Sequence, residues 1–143
     1  MGKVLGLDLG TTTLGISITD EKREFVYGRE TFRFHKGNYK AAREYVISYV
    51  TKEGIDEIAL GYPLMMSGDI GERAKSCLRF RDDLLRMKPD LTIHMVDERM
   101  STVTATEWLL EADLSRKKRK KVIDKMAAVV ILETFLRREQ EKK

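Results

Sequence analysis

The 143-residue chain contains one cysteine, two histidines, two prolines and one tryptophan. The single Cys77 cannot close an intramolecular disulfide, so a reducing cytoplasm is the expected setting. His35 and His94 stand far apart in sequence and no second cysteine exists, so the nitrogen and sulfur sets that zinc prefers are missing. His94 is expected to point outward as a polar residue of an alternating strand, and His35 to lie in a loop. Two prolines beside 42% hydrophobic residues argue against a disordered or linker-rich chain. No apolar run approaches the ~20 residues of a membrane helix, so no membrane partner is expected. The opening MGKVLGLDLGT carries Asp8 inside its apolar stretch and lacks a small-residue cleavage pattern, so it reads as a strand and not a secretion signal. GxxxxGK[ST] and GxSxG are both absent, which argues against a P-loop nucleotide site and a serine-hydrolase elbow.

What remains is a chain long enough for one domain, residues 1–143, able to bury roughly 68 to 70% of its unfolded surface. Its net charge of +4 is unevenly spread. Arg116, Lys117, Lys118, Arg119, Lys120 and Lys121 are consecutive, and the tail from Arg137 is also basic, while the rest is slightly acidic. A local basic patch suits a phosphate backbone. A solvated helix start or loop is the plainer reading of the same run.

Lys3 to Leu9 and Leu14 to Thr19 flank Gly10-Thr11-Thr12-Thr13 as a hairpin, and Glu24 to Phe34 alternates as a third strand. Asn38 to Glu53 has helical spacing of Ala41, Ala42, Tyr45, Val46, Tyr49 and Val50, with Gly54 as its stop. Glu57 to Leu64 is expected as a strand, Glu72 to Met87 as a helix with Ala74, Cys77, Leu78, Leu84 and Leu85 inward, and Leu91 to Val96 as a strand. Helices over Thr102 to Glu111 and Lys120 to Glu139 close the chain. Strands joined by tight turns pair antiparallel, and strands separated by helices pair parallel. The expectation is therefore an α/β fold with a mixed five-stranded sheet and helices on both faces.

Three carboxylates stand where simple structural filler is unexpected. Asp8 ends the apolar strand VLGLDLG, Glu98 follows IHMV with Asp97 beside it, and Asp124 precedes Ala127, Ala128, Ile131 and Phe135 at helical spacing. The C-terminal ends of parallel strands form the rim where ligands bind in open α/β sheets. Carboxylates gathered there repel by about 4 kcal/mol per pair at 4 Å and an effective dielectric of 20. An all-oxygen set calls for a hard cation, Mg2+ or Mn2+.

GLDLGTTTLGISITD, GYPLMMSGDIGERA, VDERMST and SRKKRKKVIDKMAAVVIL together, in that order, resemble the bacterial YqgF-like proteins, which are described as Holliday-junction resolvases and as pre-16S ribosomal RNA processing nucleases. The resemblance spans Gly6 to Leu132 and implies a ribonuclease-H-like fold. It carries the acidic residues onto Asp8, Glu98 and Asp124, with Asp97 as an alternative metal ligand. It also implies in-line attack by water on a phosphodiester, with Asp8 bridging two metal ions. Arg99 and Ser101-Thr102 match the family's DER-T-T segment as phosphate contacts, though Ser101 or Thr102 also suits a helix cap. Family members usually carry Asn-Met-Asp-Gly-Ser after Pro-Leu, whereas this chain has Met65-Met66-Ser67-Gly68-Asp69, so a specific amide contact is not carried over. Gly68 and Gly71 still permit close backbone approach. Structured RNA or branched DNA is the implied partner, with ribosomal precursor particles and a homodimer as further expectations.

Two readings of other classes compete. DLGTTT also looks like the phosphate loop of actin-like ATPases and sugar kinases, which need a second domain for which this chain has no room. A non-catalytic nucleic-acid-binding module is the other.

Overall fold

The computed structural model describes residues 2–62, 71–97 and 116–141, with the side chains of the last segment described from Met126 to Gln140. Its elements in chain order are β1 (Val4–Leu9), β2 (Thr13–Thr19), β3 (Val26–Arg33), α1 (Tyr39–Glu53), β4 (Glu57–Tyr62), α2 (Glu72–Met87), β5 (Thr92–Asp97) and α3 (Arg116–Glu141).

Short turns make the first three strands a meander. Gly10 N–H donates to the Thr13 carbonyl at 2.7 Å, closing the β1–β2 turn. In the next turn the Asp20 carboxylate accepts from the Glu24 and Phe25 amides, both at 2.8 Å, while Arg23 adopts φ 59°. The Phe25 amide is the leading cause that holds the Asp20 carboxyl below its ordinary range. The sheet order is β3-β2-β1-β4-β5, antiparallel from β3 to β1 and parallel from β1 through β4 to β5. The five strands and their directions match the sequence expectation.

Alternation sorts β1 onto two faces. Leu5, Leu7 and Leu9 join Leu14, Ile16, Ile18, Ile58 and Leu60 under α1 and α2. Helix α1 begins at Asn38, whose side chain accepts from Ala41 N–H, and stops at Gly54 in the left-handed region, φ 69°. It buries Ala42, Val46 and Val50, while α2 buries Ala74, Cys77, Phe80 and Leu84. Phe80 belongs to this core although the α2 stripe read from sequence omits it.

The opposite face carries Val4, Ala59 and Val96 and is covered by Ile131, Leu132 and Phe135 of α3. Small residues let this helix approach closely. A Cβ built on Gly6 would stand 2.3 Å from Ser17 Oγ, 2.5 Å from Leu132 Cγ and 3.0 Å from the Ala128 carbonyl. Ser17 Oγ donates to that carbonyl at 2.7 Å, tying β2 to α3 inside the core. Helix α3 includes Arg116 to Lys121, so the six-residue basic run is helical and not a loop. The helix expected over Thr102 to Glu111 lies outside the described residues.

Candidate active site at the sheet rim

Strands β1, β4 and β5 are parallel and share a level at Leu7, Leu60 and Met95, so their C-terminal ends form one edge. Asp8 stands at that edge of the central strand, half-buried between fully buried Leu7 and nearly buried Leu9. Alternation from Gly6 aims it to the α3 side. Its partner across the antiparallel ladder is Gly15. On the parallel side, one residue beyond the Leu7–Leu60 pair, stands Gly61. The residues level with Asp8 on both neighbouring strands are therefore glycines. Sequence reasoning missed the pairing because Gly15 and Gly61 become its neighbours only through register.

Helix α3 meets the same region. The Ala128 carbonyl lies over Gly6 and Ser17, and Asp124 sits one turn earlier on this helix. Glu98, Arg99, Ser101, Thr102 and Gly68 lie outside the described residues. Arg116 to Lys121 and Asp124 have a described backbone position only, all within α3. Asp97 is described, and it pairs with Tyr62 at the end of β5. It alternates with Val96, which packs under α3, and so falls on the α1/α2 side with Ile93 and Met95. Asp97 and Asp8 thus belong to opposite faces of the sheet. Gly71 is the N-cap of α2 in an extended conformation, φ −92° and ψ −176°, which any residue adopts. Among the described residues no three His, Cys, Asp or Glu side chains gather into a metal site, and Asp8 is the only member of the Asp8, Glu98 and Asp124 set with a described side chain.

His94 is not the outward polar residue expected. Its ring packs against Phe135 of α3 at 4.6 Å between centroids, and its Nε2 lies 2.9 Å from Glu57 Oε2. Glu57 also accepts from Arg23 Nη2 at 2.9 Å, and Arg23 Nε donates to the Gly2 carbonyl. Burial pushes the Glu57 carboxyl up, but Arg23 and His94 outweigh it and hold it below the ordinary carboxylate value. This cluster sits at the N-terminal edge of the parallel strands, away from Asp8, and braces the β2–β3 turn against β4 and β5.

Comparison with known proteins decides the family, because a model described as RuvX, Holliday junction resolvase, matches residues 2–138. The chain belongs to the RuvX family. This RuvX-family chain is 40% identical over 134 residues to a Staphylococcus carnosus protein named for a pre-16S rRNA nuclease activity, covering 94% of each chain. It is 43% identical over 136 residues to a Bacillus cereus protein of the same name, covering 95% of this chain and 98% of the relative. Among solved structures, Thermus thermophilus RuvC in complex with a Holliday junction substrate aligns with TM-score 0.57 at 11% identity, covering 96% of both chains. The shared fold is ribonuclease-H-like. No helix among the described residues is long and apolar enough to cross a membrane.

Proposed function

We propose that this chain is a divalent-metal-dependent nuclease that hydrolyses phosphodiester bonds of structured RNA, acting on the 5′ end of pre-16S rRNA. The observation that carries the proposal is Asp8: a half-buried carboxylate ending the central strand, facing α3, with glycine on the strand to either side. Glycine at both level positions places no Cβ beside the carboxylate, so neither of these residues obstructs a phosphate and its cations. Relatives named for pre-16S rRNA nuclease activity, matched over almost their full lengths, supply the substrate class.

Asp8, Glu98 and Asp124 would hold Mg2+ or Mn2+, since their donors are all hard oxygens. A bound divalent cation supplies Lewis-acid stabilisation of phosphoryl charge and lowers the pKa of water. The chain's own part is to hold Asp8 on a rigid strand. The second ligand in this reading is Glu98 and not Asp97, because alternation gives Asp97 to the other face from Asp8. Asp124 fits because it precedes Ala128 by one turn, and Ala128 lies over Gly6, two residues from Asp8 on the same face. Arg116 to Lys121, in the first turns of α3 directly before Asp124, would hold backbone phosphates. Buried Cys77 suits a reducing cytoplasm.

A second reading is resolution of four-way DNA junctions, favoured by the description of the family model. Side-by-side cleavage of a pre-16S rRNA 5′ leader and a four-way junction with Mg2+ or Mn2+ separates the two substrates. In either assay Asp8→Asn lowers turnover by more than about 100-fold while the fold survives, because the amide keeps the shape and loses the charge. Glu98→Gln costs far more activity than Asp97→Asn. Unchanged turnover in Asp8→Asn sinks the site assignment, and a larger loss from Asp97→Asn than from Glu98→Gln overturns the argument from alternation.

A further inference from the structure

A second feature of the same rim lies apart from Asp8. Immediately beyond Asp8 the chain turns at Leu9, Gly10 and Thr11, and on the α1/α2 side this turn borders a cleft of about 110 Å3. Its other walls are Tyr39 at the start of α1 and Glu72, Arg73 and Ser76 on the first turns of α2. The cleft and Asp8 are thus on opposite sides of the sheet, separated by the thickness of one strand at its end.

The walls are held in place. Tyr39 leans on Phe34 with ring centroids 5.7 Å apart and an interplanar angle of 56°. Arg73 Nη2 donates to the Leu9 carbonyl at 3.3 Å, fastening α2 to the end of β1. Gly10 keeps the turn low, because a Cβ there would meet Thr13 Oγ1 at 3.1 Å and the Thr13 carbonyl at 3.3 Å.

We infer that this cleft receives the base of an unpaired nucleotide next to the cleaved phosphate, the substrate strand crossing the rim over Gly10; the inference rests on the nuclease reading of Asp8. The lining suits a flat heteroaromatic base, because Leu9, Gly10 and the Tyr39 ring give it apolar walls and the charged groups stand on the α2 side only. Tyr39 lines the cleft with an aromatic ring, and stacking on such a ring is sequence-tolerant because every base has a π-face. Glu72, whose Oε1 lies 3.6 Å from Lys75 Nζ, keeps acceptor oxygens for an exocyclic amine, as on adenine or cytosine. Arg73 and Ser76 supply donors to ring nitrogens and carbonyls. A paired base cannot enter, since its Watson–Crick edge is occupied and its faces are stacked. The cleft therefore directs cleavage to single-stranded nucleotides, loops or ends beside a duplex, the usual targets of base-reading RNA proteins.

Binding is tested on the full chain carrying Asp8→Asn, to prevent turnover, with an RNA duplex bearing a 3′ or 5′ single-stranded overhang and with the same duplex blunt-ended. The overhang binds about tenfold more tightly, a gain of the size that stacking on one aromatic gives. 2-Aminopurine scanned along the overhang changes fluorescence at one or two positions only. Ser76→Leu, which fills the cleft, and Thr11→Met, which covers it from an exposed turn, each reduce overhang affinity to that of the blunt duplex without adding a stacking surface, and Tyr39→Phe retains the advantage. Equal affinity for the two RNAs overturns the inference. So does an overhang advantage that persists in Thr11→Met, whose exposed position leaves folding intact whatever Ser76→Leu does. Cleavage that survives Asp8→Asn strikes the nuclease reading instead, so the two failures are distinct.

Discussion

The two faces of the sheet are built on opposite principles. Under α1 and α2 the strands present Leu5, Leu7, Leu14, Ile16, Ile58 and Leu60, all fully buried, and the helices stand off at the distance these side chains require. Under α3 the same strands present Gly6, Ser17 and Ala59, and the helix backbone comes close enough for Ser17 to bond its Ala128 carbonyl. The first face is interchangeable apolar volume. The second is a fitted contact of small groups, and it is the face that carries Asp8.

This contrast can be broken from either side. The largest stability loss is expected on the bulky face, where Leu60→Ala costs about 2 to 5 kcal/mol through lost transfer energy and a residual cavity. Chemical denaturation should show a lower midpoint with an unchanged slope. On the fitted face the sign of the volume change reverses. Gly6→Ala adds one methyl against Ser17, Leu132 and the Ala128 carbonyl, and overpacking there costs about 1 to 3 kcal/mol. Tolerance of Gly6→Ala without loss of melting temperature would mean that α3 is free to shift. If the nuclease reading holds, this variant also loses activity beyond its loss of stability, because it pushes the helix bearing Asp124 away from the strand bearing Asp8.

The smallest expected effect sits at the edge remote from Asp8, in the Arg23–Glu57–His94 cluster. Glu57→Gln removes a mostly buried charge-assisted pair and costs about 1 to 2 kcal/mol near neutral pH. The folded state depresses the Glu57 carboxyl, so its contribution is present above the ordinary carboxylate value and is lost as pH falls through the folded one. The gap in melting temperature between wild type and Glu57→Gln should therefore shrink on acidification below about pH 4. A gap that stays constant from neutral to acid pH would show that shape and not charge is at stake.

Much of this fold was legible in the residues. Asn38 and Gly54 bound α1 where their capping chemistry indicates, and α2 runs from Glu72 to Met87 as its spacing requires. Local signals suffice there because caps and periodicity act within one element. The start of α3 was less legible: a run of six cations carries no apolar period, so its helix over Arg116 to Lys121 cannot be read from hydrophobic spacing. His94 was misread for the opposite reason. Its strand alternates, but whether a face is exposed depends on what covers it, and α3 covers this one with Phe135.

The sequence by itself determined the element types, the strand directions and the identity of Asp8 as a carboxylate at a strand end, because these depend on short-range patterning and on connection length. Only the tertiary structure decided which face Asp8 shares, that Asp97 belongs to the other, and that Gly15 and Gly61 stand beside Asp8 on the neighbouring strands. Those facts depend on register, where a slip of one residue sends every side chain to the opposite side of the sheet. The cleft beside Thr11 is of the same kind, since Tyr39 and Arg73 are distant in sequence and meet only when α1 and α2 pack on one face.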